Sequence, residues 1–521
     1  MTFFPIWERL RRASGRAAAV VALALMAGAA TVNAGAAQEH VLTVGNPFAP
    51  LSLDPALSGN GRAGTWLLPA YEPLVRTRAD GSFEPALATA WEVAPDSKSV
   101  VFTLREGVTF SDGAAMDAAA VKKSIEYFVG RKGPFAGNLA SLQSVEVLGD
   151  HQVRISLSAP NPNIVNMFDQ NWNVGAIISP KAIDAPETLL TGTYGAGPYK
   201  LDPGATVTGT SYVYVPNEAY YDKARVKWDE IKISVFLDQN SGVQAMRAGQ
   251  LDLLVSDPFT ANSNVNSLGD TIRVVHSPMQ WAGIVLMDRT GEINKALGDL
   301  RVRQALNMGI DRDLVAQAMF GRFAAGTGQL QVKGFQGYDP ALEKIYPFDV
   351  DRAKALLAEA GHADGLEIKV GYVNNTLNAA LFQAYADQLS QIGVTLTPVP
   401  FQGIGPSLAA RQQRTIETLL FNTNSGVPNL AKFQTLMPGG SLNPYGPQDP
   451  ALTALIEKAS ATPAAEAEPA WQAVYRWVAE QAWFLPVIAV DAVYFATDRI
   501  KTPEEIGQSI IFDLIWVEPA Q

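Results

Sequence analysis

Few residues of this chain have the types and spacing that chemistry demands. Its four histidines, His40, His151, His276 and His362, are scattered without metal-ligand spacing. Cysteine is absent, which removes disulfides, thiolate metal sites and cysteine nucleophiles together. No stretch reads G-x-S-x-G, H-E-x-x-H or Walker A. Gly59-Asn60-Gly61-Arg62-Ala63-Gly64 does satisfy G-x-G-x-x-G, but a dinucleotide site needs that motif to join a strand directly to a helix. Here the turn Leu53-Asp54-Pro55 precedes it, so it reads as a loop. What remains is the chemistry of recognition: aromatic walls with a few oriented polar groups. Trp66, Asn171, Trp172, Trp281, Asn422, Asn424 and Tyr445 are the candidates, although each aromatic taken alone is more often core than contact. Asn171-Trp172-Asn173 stands out because polar neighbours flank an aromatic in a proline-rich, irregular region. Arg62, Arg411 and Arg414 are the cations that could face an anionic solute, although solvated arginines are the commoner use.

The elements that must position these residues are partly legible. Between Pro85 and Val93 the bulky residues fall at helical spacing, which predicts a helical turn. Val100, Phe102 and Leu104 alternate within Ser99–Arg105 and predict a half-buried strand, with Val108–Phe110 a short second one. Asp117 is placed to cap a helix with Val121, Ile125 and Phe128 on one face and Lys122, Lys123 and Glu126 on the other. Val145–Leu148 and Gln152–Leu157 alternate around Gly149-Asp150-His151 and predict a hairpin. The second half reads as α/β. Val302, Ala305, Leu306 and Ile310 stripe a helix, Asp311 and Asp349 cap two more, and Gly361 ends one of them. Leu366–Val373, a helix striped by Leu381, Tyr385, Leu389 and Ile392, and Val394–Pro398 make a βαβ unit, expected to cross over right-handed in a parallel sheet. Further helices are expected from about Ala451 and Ala464.

Composition narrows the class. A chain of 521 residues is too long for one core, and 47% hydrophobic with 17% charged residues fits a folded, non-membrane protein. Arg9, Arg11, Arg12 and Arg16 precede an uncharged, alanine-rich run from Ala17 to Ala30 and then small residues through Ala37. That is the layout of a cleavable secretory signal, and the run is short of the about 20 apolar residues of a membrane span. With no Cys to accept lipid, the mature protein is expected free in the periplasm. The formal charge of −11 argues against nucleic acid as a partner.

Several motifs, taken in order, resemble one family. They are Leu87-Ala88-Thr89-Ala90-Trp91-Glu92-Val93, Phe102–Gly113, Gly195-Ala196-Gly197-Pro198-Tyr199, Ala245–Leu253 and Asp299–Arg312. Together they are similar to the extracytoplasmic substrate-binding proteins of peptide- and nickel-type ABC importers, family 5. The resemblance runs from about Leu42 to at least Ile392 and implies an α/β, periplasmic-binding-protein-like two-lobed fold with an additional inserted small domain. The implied layout is a signal peptide at 1–37, lobe I at 38–60, 190–275 and 490–521, the inserted domain at 61–189 and lobe II at 276–489. A monomer, closing on a small-molecule or peptide ligand and docking on an inner-membrane ABC permease, is expected, with no cofactor, no catalytic residue and no metal site. Alternatives are a metal-chelate receptor of the nickel type or a periplasmic hydrolase on the same fold. One departure bears on the ligand. Peptide-binding relatives carry an Asp for the peptide's amino group where this chain has Asn424, and no acidic residue lies between Thr418 and Pro447. That disfavours a general peptide binder and points to a polar or anionic solute, an opine among them, unless another domain supplies a carboxylate.

Overall fold

The computed structural model describes residues 40–58, 64–426, 428–446, 449–504 and 512–520. The leader read at 1–37 lies outside them, as do Arg62 and most of the Gly59–Gly64 loop.

Among the described residues one mixed sheet of eleven strands organises the molecule. Val41–Asn46 sits between Glu230–Val235 and Leu253–Ser256, parallel to both, and Ser211–Pro216 and Tyr199–Leu201 extend that side. On the other side Leu366–Val373 lies parallel to both Val394–Phe401 and Thr418–Asn424. Two long antiparallel strands, Ile272–Leu286 and Phe484–Thr497, join the halves. Their far ends pair differently: residues 493–496 pair with Leu253–Ser256, whereas residues 280–286 pair with Thr418–Asn424. Each half has its own apolar cluster, around Leu42, Tyr214 and Ile233 on one side and around Val302, Leu306, Val370 and Tyr385 on the other. The fold is two-lobed α/β, as the motifs imply.

The inserted domain has a separate four-stranded antiparallel sheet, Ala88–Val93, Ser99–Leu104, Gln152–Leu157 and Leu142–Gly149 in spatial order. The helix Ala118–Gly130 packs on it through Val121, Ile125 and Phe128, and Asp117 caps that helix by accepting from the Ala120 amide at 2.8 Å. The helical turn read between Pro85 and Val93 is a correction: residues 88–93 are a strand. The pairing with Ser99–Leu104 slips between Ala88 and Ala90, so one extra residue breaks the alternation and leaves a spacing that imitates a helix. Val108–Phe110 is likewise no strand of its own and makes only an isolated bridge from Thr109 to Ala115.

In the second lobe the expected caps are in place. Asp311 and Asp349 accept from the amides of Leu314 and Arg352, and Asp299, not named as a cap from sequence, accepts from that of Arg301. Gly361 takes a φ of 88°, the left-handed conformation that ends a helix at little cost in glycine. Thr376–Ser390 buries Leu381, Tyr385 and Leu389 between the parallel strands Leu366–Val373 and Val394–Phe401 in chain order. Among the described residues the last two α-helices are Pro450–Ala461 and Glu468–Glu480.

Gly195 and Gly197 explain their motif by crowding. A Cβ at 195 would sit 2.2 Å from the Ala70 carbonyl oxygen, and one at 197 would sit 2.6 Å from the Ala70 carbonyl carbon. Without side chains the two backbones touch, and Gly197 N donates to Ala70 O at 2.9 Å. Behind this contact Arg76, wholly buried, pairs with Glu72 at 3.0 Å and with Asp513, which ties the C-terminal segment to the start of the inserted domain.

Candidate functional site

A cleft of about 700 Å³ opens between the inserted domain and the second lobe. One wall starts at Thr77, the end of strand Val75–Thr77, and continues through Asp80, Gly81 and Phe83. Asn163, Asn166, Asn171 and Trp172 complete it, from a stretch with only two short 3-10 turns. Pro160 and Pro162 open that stretch without amide donors, and most of its residues are buried, Asn163 and Asn171 among them. Trp172 is half-buried and meets Phe135 edge-to-face with centroids 6.2 Å apart, which leaves part of the ring as cleft surface.

The opposite wall consists of Gly334, Phe335, Gln336, Tyr338, Gly426, Ala465 and Glu468. One helix face holds it. Glu468, Gln472 and Arg476 recur every four residues along Glu468–Glu480, the interval that stacks side chains on one face. Glu468 accepts from Gly337 N at 3.0 Å, Gln472 donates to Tyr338 O at 2.9 Å and Arg476 pairs with Asp339. Gly337 has a φ of 86°, and the Tyr475 ring lies 2.8 Å from where its Cβ would be, so only glycine fits the turn. Burial and the neighbouring Glu343 push the Tyr338 phenol up to about 12, keeping it a neutral donor and acceptor.

Two carboxylates border the cleft, Asp80 on one wall and Glu468 on the other. Hydrogen bonds from Ser82, hydroxyl and amide, hold Asp80 below the usual carboxylate range. None of the described residues lining the cleft is Lys, Arg or His. A third carboxyl, Asp169, is buried directly behind the inserted-domain wall, and burial pushes it up to about 7.

Of the residues nominated from sequence, the structure brings Asn171 and Trp172 to this cleft; Arg62 lies outside the described residues, and the others are placed as follows. Trp66 is core, edge-on to Tyr212 at 4.9 Å. Trp281 is core against Phe484, and Tyr445 is buried with its hydroxyl on the Ile416 carbonyl at 3.0 Å. Asn422 is exposed on Thr418–Asn424, where it pairs with Ala282. Asn424 ends the same strand opposite Gln280, and its side chain lies outside the described residues. Arg411 is buried over the Phe421 ring and donates to the Ser407 and Ser441 carbonyls, while Arg414 is exposed and pairs with Glu292 at 3.6 Å. Neither lines the cleft. Among the described residues no group of three or more His, Cys, Asp and Glu could hold a metal ion.

Asp80, Glu468, Asp169 and Phe335 were not signalled by sequence. Two carboxylates from other parts of the chain border the cleft, which is the condition under which the sequence does not disfavour a peptide over a polar or anionic solute.

The family model of the bacterial extracellular solute-binding proteins, family 5 Middle, matches residues 82–441. The chain belongs to this family. It is accordingly a solute-binding component of an ABC importer. The glutathione-binding protein GsiB of Salmonella typhimurium is 28% identical over 383 residues, covering 72% of each chain. Among solved structures, NikA from Brucella suis in complex with Fe(III)-EDTA superposes with a TM-score of 0.80 at 23% identity, covering 92% of this chain and 99% of that one. AgaA from A. tumefaciens R10 in complex with agropinic acid gives 0.76 at 22%, with the same coverage. These relatives are binding proteins, and family 5 proteins work outside the cytoplasm. Among the described residues no helix is long and apolar enough to cross a membrane.

Proposed function

We propose that this family member captures one small polar solute in the cleft between the inserted domain and the second lobe and hands it to an inner-membrane permease. The observation that carries the reading is the cleft itself: about 700 Å³, with Trp172, Phe83 and Phe335 as apolar surface and Asn, Thr and carboxylate groups interleaved. That mixture encloses a small solute and fixes its orientation. The ligands named for the relatives, glutathione, agropinic acid and Fe(III)-EDTA, are all small and polar and do not single out one compound.

The remaining assignments follow from the same reading. Lobe I is built from 38–60, 190–275 and 490–521, the inserted domain from 61–189 and lobe II from 276–489. The leader is removed between about Ala34 and Gln38, and the mature chain works as a soluble periplasmic monomer. Asp80 and Glu468 act as binding groups rather than an acid–base pair, since each is tied to its own wall by hydrogen bonds. Mass spectrometry of protein recovered from its native compartment should find one polar solute retained at a near-equimolar ratio. Recovery without a solute, combined with no thermal stabilisation by any fraction of a small-molecule extract, overturns the reading.

A further inference from the structure

The inserted-domain wall is backed by a carboxyl group that capture by itself does not call for. Asp169 is fully buried, and the groups it bonds are the cleft's own lining. Thr77 Oγ1 donates to Asp169 Oδ2 at 2.5 Å. Asn171 donates twice, from its backbone N to Oδ1 at 2.8 Å and from Nδ2 to Oδ2 at 3.2 Å. The Asn166 side chain is hydrogen-bonded to it as well, and accepts at its own Oδ1 from Asn163 Nδ2 at 3.4 Å. Gln170 fixes the arrangement from the side by accepting from Thr77 N at 2.8 Å and donating to Thr77 O at 2.7 Å.

The consequence is one of polarity. A threonine hydroxyl has a single hydrogen, and that of Thr77 is spent on Asp169, so only its lone pairs remain for a solute. The Asn171 side-chain amide likewise spends an N–H on Asp169. An ionised carboxylate accepts and never donates, so it draws donors inward and leaves acceptors outward. Glu468 on the facing wall and Asp80 at the rim add acceptors of the same sign.

Resting on the receptor reading above, we infer that Asp169 sets the hydrogen-bonding polarity of this wall, so that the cleft selects solutes that present N–H donors, with a protonated amine as the anchoring group. Asp169 is a positioning residue and does not touch the solute. The groups that face it, Thr77, Asn166 and Asn171, do not titrate. The charges on the adjoining elements are engaged elsewhere: Arg76 turns into Glu72 and Asp513, and Asp80 is bonded to Ser82. Because burial holds Asp169 up to about 7, its proton is gained across the neutral range, and gaining it gives the wall a donor in place of an acceptor.

The test is calorimetry on the whole mature protein with glutathione, trialanine, lysine and agmatine, each beside its N-acetylated counterpart, and with succinate and EDTA as anions. At least one amine-bearing probe should bind, its acetylated form about tenfold or more weaker. Its affinity should rise between about pH 6 and pH 8, while Asp169→Asn, shown to be folded by its melting transition, should weaken it about tenfold and flatten the pH profile. If Asp169→Asn does not fold, Thr77→Val tests the same wall by removing one acceptor, and should weaken the amine probes more than the anions. The inference is overturned by acetylated probes binding as well as free amines, by an unchanged affinity and pH profile in the folded variants, or by no amine probe binding at millimolar concentration. Binding of succinate or EDTA alone sinks it and leaves the receptor reading standing.

Discussion

Asp169 also makes the stability of the protein depend on pH, with a sign that follows from its burial. Removal from water disfavours the carboxylate and holds the group up to about 7 in the fold, against about 4 in an unfolded chain. The folded protein therefore binds this proton more tightly. The contribution is fully present below about pH 4 and is lost as the pH rises through about 7, over a range worth on the order of 4 kcal/mol. Between pH 5 and pH 8 the melting temperature of the ligand-free protein should fall more steeply in wild type than in Asp169→Asn, and equal slopes would dismiss the assignment. At the same scale, Trp172→Ala removes ring surface from one wall together with the edge-to-face contact to Phe135 at the margin of the small-domain core, so the variant's melting transition is recorded first. The substitution should weaken the retained solute by about tenfold to a hundredfold, comparable to losing one stacked aromatic anchor, and unchanged affinity in calorimetry would move the binding surface elsewhere. Asn171 and Trp172 were readable from sequence because their signal is local, an aromatic between polar residues where prolines forbid regular structure. Glu468 and Asp169 were not, because nothing beside them in the chain says that a cleft lies 131 residues away at Gly337 or 92 residues away at Thr77.

Elements were legible wherever one chain segment decides its own conformation. Asp117, Asp311 and Asp349 cap helices because a carboxylate meets an amide three residues on, and a partner that near is visible in sequence. The strand at Ala88–Val93 was misread because its irregularity belongs to a pairing: the slip opposite Ser99–Leu104 inserts one residue and rephases everything before it. The motif Gly195-Ala196-Gly197 falls between these cases, since its glycines could be read as packing rather than anion binding, but the surface they pack on, Pro69–Tyr71, is known only from the fold. Gly197→Ala would push a methyl group into the Ala70 peptide, which is backbone and cannot rotate aside. The expected cost is about 1–3 kcal/mol, as for other overpacked sites, read as a lower denaturant midpoint. A wild-type midpoint would mean that the close approach is looser than its geometry implies.

For the whole molecule, function depends on how the two strands that join the lobes are made. Ile272–Leu286 and Phe484–Thr497 pair along most of their length, which alone would make a stiff ribbon. The pairing slips between Pro278 and Gln280, so that Met279 has no partner opposite Val490 and Asp491, and it slips again between Ala282 and Gly283. Pro278 cannot donate to the ladder, and the first slip falls where pairing passes from the first lobe's sheet to the second's. Beside it His276 Nδ1 lies 2.5 Å from Asp491 Oδ2, a side-chain tie between the two strands on the first-lobe side of the slip. A ribbon weakened at one level bends there in preference to deforming either packed lobe, and this is the geometry of a hinge. On the proposed reading, solute that contacts both walls of the cleft would stabilise a bent, closed form by the difference between its affinities for closed and open states. X-ray scattering should therefore record a smaller radius of gyration at saturating retained solute than after its removal. Replacing Met279 by a deletion that restores continuous pairing should stiffen the ribbon, reduce that change and weaken binding together. A deletion variant that folds, binds as tightly and compacts as much as wild type would place the hinge outside these two strands.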